Sequence, residues 1–150
     1  MNLHRRAFLS TAAAFAAILV LPKPFAAAAT DAEVADALAA ILDGREAQEG
    51  GIVLDVPSVA ENGAQVPITV SVDSPMSAED HVRAIHIVAT RNPTPGVGSF
   101  RLSPRVARAE VTTRIRLAEE QEILVLAELS DGRVLKAAAA IAVSVGGCAT

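Results

Sequence analysis

The chain is 150 residues long and 15.4 kDa, a size that suits one domain. It is 51% apolar and 20% charged, which excludes a disordered or collagen-like chain. A net charge of −4 argues against the basic surface that sequence-independent nucleic-acid binding requires, and a single Cys excludes both an internal disulfide and a Cys-based zinc cluster.

Residues 1–29 read as an export signal, outside the fold. Arg5-Arg6 precede an apolar stretch from Ala7 to Leu21, broken only by Ser10 and Thr11. Pro22-Lys23-Pro24 closes it, and Ala26 to Ala29 offers small-residue cleavage choices. The arginine pair points to the Tat route, which exports folded proteins, and so to the periplasm. The competing reading is a membrane anchor, but a spanning helix needs about 20 apolar residues, more than this stretch holds. Removing the leader takes away three bases and no acid, leaving 10 bases, 17 acids and a charge of −7. Phe100 then remains as the one aromatic residue, so the core must be aliphatic.

After the leader, Thr30-Asp31-Ala32-Glu33 reads as a capping box. Val34, Leu38, Ile41 and Leu42 follow at helical spacing, which predicts a short amphipathic helix over Asp31 to Asp43, ended by Gly44. Beyond Gly50-Gly51 the period drops to two. Val66, Ile68, Val70 and Val72 alternate with Pro67, Thr69, Ser71 and Asp73. Further strands are expected at Val82 to Thr90, Val111 to Leu117, Ile123 to Leu129 and Val134 to Val145, with shorter ones at Ile52 to Val56 and Val97 to Leu102. Turn signals such as Glu61-Asn62-Gly63, Asn92-Pro93-Thr94-Pro95-Gly96 and Ser130-Asp131-Gly132 separate them. About seven short strands without intervening helices predict an all-β, immunoglobulin-like antiparallel sandwich with a short N-terminal helix, spanning residues 30–145.

No known catalytic constellation is present, and no cofactor or metal site is expected. There is no H-E-x-x-H, P-loop, G-x-S-x-G or dinucleotide fingerprint. His81 and His86 lie five apart, which on a straight strand places them on opposite faces. They read as a turn histidine and a satisfied sheet histidine. Glu119, Glu120 and Glu122 read as a solvated acidic turn.

The ending, Val145-Gly146-Gly147-Cys148-Ala149-Thr150, is harder to read as structural. Two glycines after the last strand free the backbone, and the only Cys follows them. This predicts a flexible C-terminal arm over residues 146–150, with Gly146 and Gly147 as hinge and Cys148 as an exposed thiol. No Lys or Arg adjoins Cys148, and the terminal carboxylate two residues on opposes thiolate formation. Such a thiol suits a carrier whose partners supply the activating environment. A structural sandwich linked through Cys148 into a disulfide dimer is the alternative. An enzyme pairing Cys148 with His81 or His86 is the weakest reading, since a mobile tail gives the thiol no fixed partner.

An exported sandwich with a Gly-Gly-Cys arm resembles the SoxY family, the sulfur-carrier subunits of bacterial Sox thiosulfate oxidation. The stretches Ala60 to Gly63, Val66 to Met76, Ala84 to Ile87, Asn92 to Val97, Thr113 to Glu119 and Ser130 to Gly132 carry the same likeness through the chain in order. The resemblance implies a covalent carrier, not an enzyme, with Cys148 as attachment point. It implies a SoxZ-like partner in a heterodimer. It further implies a c-type haem enzyme that couples thiosulfate to the thiol, a hydrolase that releases sulfate and a sulfur dehydrogenase. No nucleic acid and, after leader removal, no membrane is implied. The family ends in Gly-Gly-Cys-Gly-Gly or similar, whereas this chain ends in Gly-Gly-Cys-Ala-Thr.

Overall fold

In the computed structural model, which describes residues 27–147, one helix and nine strands form a two-sheet sandwich. Helix α1 (Asp31–Leu42) starts at the expected capping box. Thr30 Oγ1 accepts from the Glu33 N–H at 3.3 Å, and Glu33 Oε2 accepts from the Thr30 N–H at 2.7 Å. The helix ends one residue earlier than expected, because Asp43 itself takes the left-handed conformation (φ 48°) and donates its N–H to Ala39 O. Arg45 finishes the end: its guanidinium donates to the carbonyls of Leu42 and Ile41, both at 2.8 Å. A cation there also suits the negative end of the helix dipole.

The strands are β1 (Ala47–Glu49), β2 (Ile52–Asp55), β3 (Val59–Ala60), β4 (Val66–Val72), β5 (Val82–Ala89), β6 (Gly96–Arg101), β7 (Ala109–Ile115), β8 (Gln121–Leu129) and β9 (Val134–Val143). The smaller sheet runs β2-β4-β7, and the larger runs β1-β9-β8-β5-β6 with β3 also on β9. The fold class is as expected, with two additions. β1 and β3 raise the count to nine, and both pair parallel to β9 within an otherwise antiparallel sandwich.

Alternation decides which face each strand buries. Val66, Ile68, Val70 and Val72 of β4 point inward and meet Ile85 and Ile87 of β5 and Ile123, Val125 and Ala127 of β8 in one core. β8 departs from simple alternation: Ile123 through Ala127 are all buried. A strand reads this way when both of its faces are covered. The second cover is α1, whose Val34, Leu38, Ile41 and Leu42 pack on Val88, Leu124, Leu126 and Val134 of the outer face. Each such aliphatic side chain taken from water contributes about 1.5–3 kcal/mol. Phe100 is half-buried and packs on the main core.

Ala29, the last residue of the expected leader, is buried beside the start of α1. Residues 1–26, which hold most of that leader, lie outside the described residues, as do Cys148, Ala149 and Thr150. Among the described residues no helix is long and apolar enough to cross a membrane.

Candidate functional site

The base of the C-terminal arm is built from three loops. Beyond β9, the Gly63 N–H donates to Val145 O at 2.7 Å. The Leu117 N–H donates to Gly63 O at 2.8 Å, and the Gly147 N–H donates to Leu117 O at 2.8 Å. The three segments Asn62–Ala64, Leu117–Ala118 and Val145–Gly147 are thus stitched backbone to backbone. Side chains have no room at the seam. A Cβ on Gly63 would overlap Leu117 O and stand 2.8 Å from Gly147 N. A Cβ on Gly146 would overlap Ala118 O, and one on Gly147 would overlap the Gly63–Ala64 backbone. These glycines permit close approach as well as conformational freedom. The expectation of released backbone at Gly146-Gly147 therefore needs this addition: both glycines are seated, and the chain enters residue 148 from a fixed point.

The loop under the seam is held by buried amides. Asn92 Oδ1 accepts from the Ala118 N–H at 2.9 Å and from Gln121 Nε2 at 3.0 Å, while Asn92 Nδ2 donates to Arg116 O at 2.7 Å. Gln121 Oε1 accepts from the Arg91 N–H at 2.9 Å. Asn92 was legible only as part of a turn, yet it fixes the loop that receives Gly147. Glu119 and Glu120 lie on this loop and Glu122 at the start of β8; all three are exposed, in line with the solvated-turn reading.

The two histidines need a correction. They do not lie on opposite faces: His81 and His86 line the same cavity, of about 470 Å³, together with Arg83, Arg101 and Glu128. The reason is a bulge. Val82 pairs with Leu129 and Ala84 with Glu128, so Arg83 is an extra residue. It shifts the alternation by one position: Val82 and Ile85 both face the core, and His81 falls on the outer side with His86. His86 is the satisfied sheet histidine expected, with Nδ1 on Ser99 Oγ and Nε2 on Glu128 Oε1, both at 2.8 Å. Glu128 Oε2 accepts from Arg45 Nη2 at 2.9 Å. Partial burial works to raise the Glu128 carboxyl, but hydrogen bonds from His86 and Arg45 and the Arg45 charge outweigh it and hold the group below the usual carboxylate range. Among the described residues no three His, Cys, Asp or Glu side chains gather as a metal site.

Residues 38–148 match the family described as sulfur oxidation protein SoxY. Among solved structures, the sulfur carrier protein SoxY from Chlorobium limicola f thiosulfatophilum is similar, with 31% identity and a TM-score of 0.64, over 77% of this chain and 100% of that one. A superoxide reductase (neelaredoxin) from Ignicoccus hospitalis has 18% identity and a TM-score of 0.56, over 63% of this chain and 80% of that one. A putative superoxide reductase from Thermotoga maritima has 20% identity and a TM-score of 0.55, over 65% and 87%. The last two share the fold alone. No curated protein matches the sequence.

Proposed function

The chain belongs to the SoxY family of sulfur oxidation proteins, a carrier and not an enzyme, and on that premise we propose that it holds sulfur intermediates covalently on Cys148 in the periplasm. The observation that carries this reading is the reach of the family match, which extends through Gly146-Gly147 to residue 148. The seam supports it from the other side: a fixed take-off point just before the thiol lets a partner enzyme find it at a defined place on the sandwich.

The chemistry follows from the thiol. Oxidative coupling joins the Cys148 sulfur to the sulfane sulfur of thiosulfate, releases the thiol proton and passes an electron pair to a c-type haem enzyme. Water then cleaves the sulfur–sulfonate bond of that adduct, which leaves as sulfate and a proton, and a persulfide stays on Cys148. A sulfur dehydrogenase oxidises the outer sulfur of that persulfide to a sulfonate, with three waters supplying the oxygens, six electrons passing to that enzyme and the protons going to solvent. Water then cleaves the sulfur–sulfonate bond, releasing a second sulfate and restoring the thiol. No Lys or Arg adjoins Cys148 in sequence, so activation of the thiol falls to the partner's pocket. A SoxZ-like subunit completes the heterodimer. With Phe100 packed on the core, aliphatic residues such as the exposed Val53 on edge strand β2 are the anchors available to it.

Export by the Tat route is part of the same proposal. The burial of Ala29 favours cleavage after Ala28, which keeps Ala29 with the fold. Intact-mass spectrometry of the periplasmic protein from cells grown on thiosulfate tests the whole reading. A reductant-labile thiosulfonate or persulfide on Cys148, with turnover abolished by Cys148→Ser in an otherwise stable protein, is the expected result. An unmodified thiol, or a disulfide dimer alone, would refute it.

A further inference from the structure

The outer face of the large sheet carries a second feature, at the end opposite the arm. β9 runs from Val134, the Cα partner of Glu128, to Val143 near the seam, a span of ten residues or about 30 Å at 3.3 Å per residue. Here the bulge at Arg83 and the pairing of Ala84 with Arg101 bring two guanidinium side chains to one cavity. Among the described residues, neither side chain has a carboxylate partner or a hydrogen bond, and both are exposed at the rim. Like charges on adjacent strands repel and destabilise a sheet. Glu128 also lines the cavity, with Oε1 on His86 and Oε2 on Arg45. Ser103 adds a hydroxyl, and Leu102 donates its N–H to Arg83 O at 2.9 Å, which fixes the bulge in place.

His81 lines the same cavity with another part of its ring, its Nδ1 being sealed from solvent and without a hydrogen-bond partner.

We propose that this cavity binds a small tetrahedral dianion, of the sulfate, thiosulfate or phosphate class, between the Arg83 and Arg101 guanidinium groups. Guanidinium presents paired N–H donors that match two oxygens of such an anion, and an anion between the arginines converts their repulsion into attraction. The cavity is larger than one such ion, so waters share it. The site lies away from the seam at the base of the arm and binding here is non-covalent, so it does not depend on the carrier reading.

The test uses the chain with Cys148→Ser, which bars covalent coupling to the thiol. Sodium sulfate, thiosulfate and phosphate are titrated separately, with ionic strength held constant by chloride, and followed by backbone and guanidinium NMR signals. Saturable shifts at Arg83, Ala84, Arg101 and Ser103 are expected, and the anion with the lowest Kd identifies the source. Arg83→Gln and Arg101→Gln are each expected to raise the Kd about tenfold, the effect of losing one charge-assisted pair. Both positions are at the rim, so the spectra of the variants should remain those of the folded protein elsewhere. Shifts that grow linearly and match those from chloride alone would overturn the proposal, as would unchanged affinity in the double variant.

Discussion

Replacing Gly63 by Ala tests the seam at the base of the arm. The added Cβ collides with the Leu117 carbonyl and stands 2.8 Å from Gly147 N, both backbone atoms. A flexible side chain could swing aside, but these atoms cannot move without breaking what holds them. Three backbone hydrogen bonds run through the seam: Gly63 to Val145, Leu117 to Gly63 and Gly147 to Leu117. At about 1 kcal/mol each, their loss costs about 2–3 kcal/mol. With a urea slope of about 1.5 kcal/mol/M, the unfolding midpoint falls by about 1.3–2 M at unchanged slope. Gly96→Ala is the matched control, because a Cβ there meets nothing within 4 Å, and it should stay within about 0.5 kcal/mol of the parent. Amide hydrogen exchange adds the local readout: the Gly147 and Leu117 amides should lose protection in Gly63→Ala and keep it in Gly96→Ala. Equal midpoints for the two variants, with Gly147 still protected in both, would refute the reasoning.

Two further outcomes follow from the packing and the charges. Ile85→Ala empties a fully buried site between the sheets and should cost about 3–4 kcal/mol in urea unfolding, against little effect for Val53→Ala on the exposed edge. Glu128→Gln weakens the pairing with Arg45 and His86 and should cost about 1–2 kcal/mol at pH 7. Because the folded carboxyl sits below its unfolded value, its stabilisation is complete above the unfolded pKa and fades as pH falls through the folded one. The gap between parent and variant should therefore close in acid, which urea unfolding across that range would show.

Strands with one buried face were legible because burial imposes the period. The alternation that starts at Val66 marked β4, which ends at Val72, one residue before the Asp73 included in it. β8 was equally legible as an apolar run, although the helix that buries its outer face could not be placed there from periodicity alone. β1 and β3 escaped notice because three and two residues are too short to show a period, and their parallel pairing with β9 is set by the tertiary fold. The histidines were misplaced for a related reason. Counting by twos assumes an unbroken ladder, and nothing in the local sequence marks Arg83 as the inserted residue. At the arm, Gly146 and Gly147 were visible as special, but their contact with Gly63 and Ala118 joins segments far apart in the chain. Sequence shows that a glycine is free to adopt unusual angles. It does not show what backbone lies against it.

The position of β9 governs how the protein comes to exist. The strand near the end of the chain is an interior member of the large sheet, with β8 on one side and β1 and β3 on the other. β5 with β6, and β8 with β9, are neighbours in sequence and can zip early, but the pairing of Ala47 with Val134 must wait for everything between them. Topologies dominated by such distant pairings fold in milliseconds to seconds. Closure of this sheet therefore waits on β9, and a chain that stops short of it leaves β8, buried on both faces in the folded protein, as a bare apolar edge. Nascent chains truncated there are the form of this protein most prone to aggregate.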